Sequence, residues 1–172
     1  MGFDLNLSLP VHLSIHFLMA VLSGLLIGLC FKKEIDWRLA LLAGILGGFL
    51  IDIDHVLEYF FVFGPTFNLS YFIEGREFLV SDKIRLVFHG FEYFPLLLFF
   101  SYLFRRKKNL SIFLLTLAFA LFVHLISDSF INNYPPRNYS IIYRASKGFS
   151  APALLSVEQY SNNLELKAWF GL

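Results

Sequence analysis

Charge is what this chain has least of. Asp, Glu, Lys and Arg make up only 16% of its 172 residues, against roughly 25% in soluble domains. A surface so poor in charge excludes an ordinary soluble protein. The charges that are present nearly cancel, at +1, which excludes the strongly basic face that a nucleic-acid partner demands. Cysteine is almost absent as well. The single Cys30 excludes an intramolecular disulfide and a cysteine-rich zinc site. No internal repeat or low-complexity tract is visible. No small-residue cleavage signal follows the first apolar stretch, so that stretch is expected to remain as a helix rather than leave as a signal peptide.

Apolar residues fill the space that charge leaves. The chain is 57% hydrophobic and 19% aromatic, with a mean hydropathy of +0.65, the composition of a membrane protein whose length suits one domain. Four apolar stretches, 11–31, 39–63, 84–104 and 110–131, are each long enough to span a bilayer. The expected fold is therefore all-α, a polytopic bundle of about four transmembrane helices over residues 1–131, with a polar extracytoplasmic tail over 132–172 packing near the site mouth. Gly24 and Gly28 form a pair that lets another helix approach closely, and Gly44, Gly47 and Gly48 thin the second span just ahead of Asp52. Pro95 should kink the third span or be accommodated by packing. Lys32, Lys33 and Arg38 follow span one, and Arg105, Arg106, Lys107 and Lys108 follow span three. By the positive-inside rule both loops are cytoplasmic, both termini are outside, and the membrane is the inner (plasma) membrane.

Against that background the ionisable residues inside the spans stand out. Asp52, Asp54 and His55 lie within four residues of one apolar stretch, and an intramembrane carboxylate is a functional-site hypothesis by default. Asp52 and His55 share a helix face; so do His89 and Glu92, and His124 and Asp128. Counted from the basic loops at ~1.5 Å per residue, His16, His55, His89 and His124 all fall ~24–26 Å from the cytoplasmic boundary. Asp52, Asp54, Glu92 and Asp128 fall within about a turn of that level. Imidazoles and carboxylates are what borderline divalent metals take as ligands, and helical bundles build such sites in their interiors. His12, about a turn farther out, reads as an interfacial histidine and not a ligand. Glu58 is expected to reach water, and Tyr59 and Tyr93 to pack.

The same residues carry a resemblance. His16 ahead of Gly24 and Gly28, the G-x-x-x-D-I-D-H run from Gly48 to His55, the pair His89-Gly90 and the H-x-x-x-D of His124 and Asp128 resemble the predicted membrane-bound metal-dependent hydrolases of bacteria and archaea. The likeness covers roughly residues 12–130. Ile51 stands where that family has proline. His89-Gly90-Phe91-Glu92-Tyr93 replaces its longer H-R-G-x-T-H-S element, with Glu92 as the candidate substitute for the second histidine.

The reading that follows is a membrane-embedded hydrolase with an outward-facing site. Asp52, His55, His89 and His124 are the preferred ligands of a divalent ion, zinc first, and His16 is a ligand or belongs to a second ion. Asp54, Glu92 and Asp128 are candidates for orienting carboxylate or general base. Arg137 and Arg144, beside the site mouth, suit an anion. The partners expected are the bilayer and an amphiphilic substrate, such as a lipid phosphoester, with no nucleic acid. Two rival classes remain: a proton or cation path through the Asp/His layer, and, less favoured because so many carboxylates lie near the layer, a b-type haem protein.

Overall fold

A computed structural model describes residues 9–172 of the chain. Their regular secondary structure is helical, with one isolated antiparallel bridge and no strand among them. The helices are α1 (Leu9–Cys30), α2 (Trp37–Gly48), α3 (Ile53–Phe63), α4 (Leu69–Ile73), α5 (Arg76–Ser81), α6 (Tyr93–Leu103), α7 (Lys108–Ile131), α8 (Ile141–Ser146), α9 (Ala151–Leu154) and α10 (Val157–Phe170). Short 3-10 turns occupy Leu50–Asp52 and Pro136–Tyr139.

Three stretches are long and apolar enough to cross a membrane: Pro10–Cys30, Trp37–Phe63 and Lys108–Ile131. Their outward faces carry large apolar side chains such as Leu18, Leu22, Leu26 and Leu29 on α1, the pattern lipid stabilises and water does not. The third expected span is shorter than its hydropathy implies. Only Tyr93–Leu103 is helical, 11 residues or ~16 Å. Residues 84–92 leave the helix because their backbone is engaged elsewhere: Ile84 N donates to Phe149 O (2.9 Å), and Lys83 bridges Ser150. Helical rise therefore cannot be counted through to His89, and the depth argument does not apply to it. Pro95 produces no kink. It sits in the first turn of α6, where a missing N–H costs nothing.

By its contacts the chain forms two compact units. One joins the chain up to Ile51 with Gly90–Pro136; the other joins Asp52–His89 with Arg137–Leu172. Hydropathy suggests a boundary at residue 131, whereas contacts place the tail with the segment that follows the 3-10 turn.

In the first unit, glycine and alanine set the helix spacing. A Cβ on Gly44 would lie 2.5 Å from Ala20 O, and one on Gly24 2.8 Å from Leu41 Cα, so α1 and α2 meet backbone to backbone. Gly47 meets the backbone of Leu117 just as closely, which seats α7 on α2. Ser101 and Ser111 exchange hydroxyl-to-carbonyl bonds, each 2.8 Å, tying α6 to α7. Lys108 Nζ reaches Glu34 Oε2 at 2.9 Å, so the two basic loops lie at the same end of this unit.

The second unit is held by buried polar links. Glu58, expected to reach water, is buried and pairs with Arg85. Ala151 N donates to Asp82 O (2.8 Å), and Lys167 Nζ to Asp82 Oδ2 (2.5 Å). The Tyr59 hydroxyl packs among aromatic rings and accepts from Asn68 N at 2.8 Å, beside the Asn68 cap of α4. Arg76 lies over both the Tyr71 and Phe170 rings, at 4.2 and 3.9 Å from their centroids. A capping box of Ser156 and Gln159 starts α10.

Candidate metal centres

Within each unit, described residues gather donors that could hold a metal: Asp52, His55 and His89 in the second, and His12, His16 and Asp128, with His124 beside Asp128, in the first.

In the second unit, the 3-10 turn ends at Asp52 and α3 begins at once, so Asp52 is its N-cap and Asp54 and His55 lie in its first turn. His89 comes from the non-helical segment before α6. Asp54 Oδ2 lies 2.9 Å from His89 Nδ1 and accepts the Phe88 amide at 2.8 Å. A carboxylate only accepts, so the ring proton sits on Nδ1 and Nε2 is the nitrogen oriented to coordinate. That Nε2 faces Asp52 Oδ1 at 3.2 Å. The ring of His55 stands edge-on to His89, centroids 5.2 Å apart, and one donor atom from each of Asp52, His55 and His89 lies within 4.8 Å of the others.

His89 owes its position to a residue read from the sequence as a substrate binder. Arg144 is fully buried, and one of its terminal nitrogens donates to Leu86 O (2.9 Å) and to His89 O (2.6 Å). It holds the turn that presents the imidazole. Arg137 is exposed and lies 5.8 Å from the Tyr143 ring centroid.

In the first unit, His124 and Asp128 sit four apart on α7, with His12 and His16 four apart on α1. His16 and His124 rings lie with centroids 3.9 Å apart, tilted 30° to one another. His16 Nε2 lies 3.0 Å from Asp128 Oδ1, and His124 Nε2 lies 3.2 Å from Asp128 Oδ2. His124 Nδ1 donates to Gly48 O at 2.9 Å, again fixing Nε2 as the coordinating nitrogen. Glu92 is half-buried at the N-cap of α6 without a capping bond, and it is not in the donor groups found among the described residues.

Sequence reasoning missed His12. Its Nε2 lies 2.8 Å from His16 Nε2 and 3.4 Å from Asp128 Oδ1. The signal was its i, i+4 spacing to His16, set aside because His12 lay a turn outside the inferred layer.

Donor chemistry and spacing both fit a divalent ion. Two ligands at ~2.0–2.1 Å around a tetrahedral zinc stand roughly 3.3 Å apart, close to the donor separations of 2.8–3.4 Å above. Comparison with family models, with characterised proteins and with solved structures finds no match.

Proposed function

We propose that this chain is a membrane-embedded metal-dependent hydrolase whose ion is held by Asp52, His55 and His89. The observation that carries the reading is His89 standing between two carboxylates, Asp54 at Nδ1 and Asp52 at Nε2. The carboxylate–histidine pair is the arrangement that orients a metal-binding imidazole and raises its basicity. A divalent ion there supplies Lewis acidity and a water whose pKa falls to about 7. Asp54 keeps the Nδ1 proton in place, Arg144 keeps the His89 backbone in place, and the donor set without thiolates favours zinc. The motif likeness to the membrane-bound metal-dependent hydrolases points the same way.

The substrate class follows from the surroundings of α3. Leu57, Phe60 and Phe61, on the same helix as His55, expose their side chains, which favours a substrate with an apolar portion drawn from the bilayer, such as a lipid phosphoester. The basic loops joined by Glu34 and Lys108 suit the cytoplasmic side by the positive-inside rule, which supports an outward-facing position for the first unit's donors, at the opposite ends of α1 and α7.

The test is hydrolysis of a panel of lipid phosphoesters by detergent-purified protein, with element analysis alongside. The expected result is zinc in the wild type, activity lost on chelation and restored by zinc, and in His55→Ala a lower zinc content with no activity. Asp54→Asn should keep the fold and weaken metal binding about 10–100-fold, as loss of an orienting carboxylate does. Metal-loaded protein inert toward the whole panel, or activity indifferent to chelation, overturns the reading.

A further inference from the structure

We infer that the first unit binds a divalent ion of its own, with His12 as one of its ligands. This goes beyond the hydrolase reading, which rests on Asp52, His55 and His89 and needs nothing from α1.

The argument is one of donor geometry. His12 Nε2, His16 Nε2 and Asp128 Oδ1 stand 2.8, 3.0 and 3.4 Å apart as a triangle of donor atoms. His124 Nε2 approaches the other oxygen of the same carboxylate at 3.2 Å. The Gly48 carbonyl accepts from His124 Nδ1, so that ring turns its Nε2 edge toward the cluster. His16, His124 and Asp128 are all buried, so the donors converge away from bulk water.

A divalent cation at this point would be met by neutral imidazoles and one carboxylate, the donor types such ions take. The triangle's edges bracket the roughly 3.3 Å expected between ligands of a tetrahedral ion. The local build is that of a ligand set: His124 is oriented by a backbone carbonyl, the partner metal-binding histidines take. The i, i+4 pairs on α1 and on α7 each present two donors from one helix face, and the small-residue contacts of both helices with α2 fix their spacing. Nitrogen and oxygen donors without sulfur select zinc or a neighbouring first-row ion.

The experiment is titration of chelator-stripped, detergent-purified full-length protein with cobalt(II), read by its visible spectrum, with zinc equivalents measured in parallel. Wild type should take up two equivalents; His16→Gln and His55→Ala should take up one each. In the His55→Ala background, His12→Gln should alter the remaining cobalt spectrum and weaken that equivalent at least about tenfold, the lower edge of what losing even an orienting partner costs. Glutamine keeps the volume and polarity of the site, and circular dichroism of each variant checks the fold. A single equivalent in wild type that His55→Ala abolishes and His16→Gln keeps overturns this inference and leaves the hydrolase site standing; one that both variants abolish overturns it as well, because the ion is then shared. A single equivalent lost in His16→Gln but kept in His55→Ala does the reverse. A His55→Ala spectrum unmoved by His12→Gln removes His12 as a ligand.

Discussion

The two clusters use the same side-chain types and are built in opposite ways. On α1 and α7, donors arrive in i, i+4 pairs from unbroken helices, and the helices are spaced by residues with almost no side chain. Around His89, donors come from a helix start and from a non-helical segment, and the spacing is enforced by a buried guanidinium and a buried carboxylate. A backbone carbonyl orients His124; a carboxylate orients His89. Periodicity builds the first cluster, and tertiary hydrogen bonds build the second. Their weak points should differ accordingly.

The largest effect is expected at Arg144. Arg144→Met leaves the Leu86 and His89 carbonyls without a charged donor in a buried setting, at about 1.5–3 kcal/mol per bond. A loss of ~3–5 kcal/mol in unfolding stability should follow, with Arg144→Lys recovering only part of it, since one ammonium does not reproduce the planar guanidinium. The cobalt spectrum should lose the contribution that His55→Ala removes and keep the one that His16→Gln removes. Equal damage to both contributions would break the comparison.

Next comes Gly44→Val, which forces a branched side chain against Ala20 O and Gly24. Overpacking of this kind costs ~1–3 kcal/mol. It should push α1 away from α2 and weaken the donor set that includes His12 and His16. Metal uptake by the Asp52, His55 and His89 set should persist.

The smallest effect at neutral pH belongs to Glu77 on α5, a buried carboxyl whose pKa is pushed up to about 7 by desolvation and then by the neighbouring Glu58. A folded pKa raised from 4.5 means the folded state holds the proton more tightly than the unfolded chain. Its stabilising contribution is complete below pH 4.5 and declines as pH rises through about 7. Glu77→Gln should flatten that decline in a denaturation series across this range while leaving metal uptake unchanged. A slope as steep as that of the wild type would assign the pH dependence to other groups, Glu58 first.

How much of this was legible in sequence follows the same division. The all-helical class came from hydropathy, and so did the spans of α1 and α7, because an apolar run of twenty residues has few other solutions in lipid. Their donors were legible too, except His12, lost to an assumed depth limit. The stretch 84–92 was not legible. It is as apolar as its neighbours, but Ile84 pairs with Phe149 and Arg144 draws in the carbonyls of Leu86 and His89. Such links join residues more than fifty positions apart and leave no local pattern. Arg144 looked like a surface anion binder for the same reason: nothing beside it in the chain announces the carbonyls it holds.

One consequence of the break after α2 concerns chain length rather than composition. The α-helix stops at Gly48, and the carbonyl at that stop decides which nitrogen of His124, 76 positions away, carries the ring proton. Inserting or deleting one residue between Trp37 and Gly48 would turn that carbonyl by about 100° around the helix axis. His124 would then lose the acceptor that selects its tautomer. A change that touches no ionisable residue, and leaves the hydropathy of the segment as it was, would alter the chemistry of the cluster. In this chain the count of residues along an apolar helix is itself part of the site.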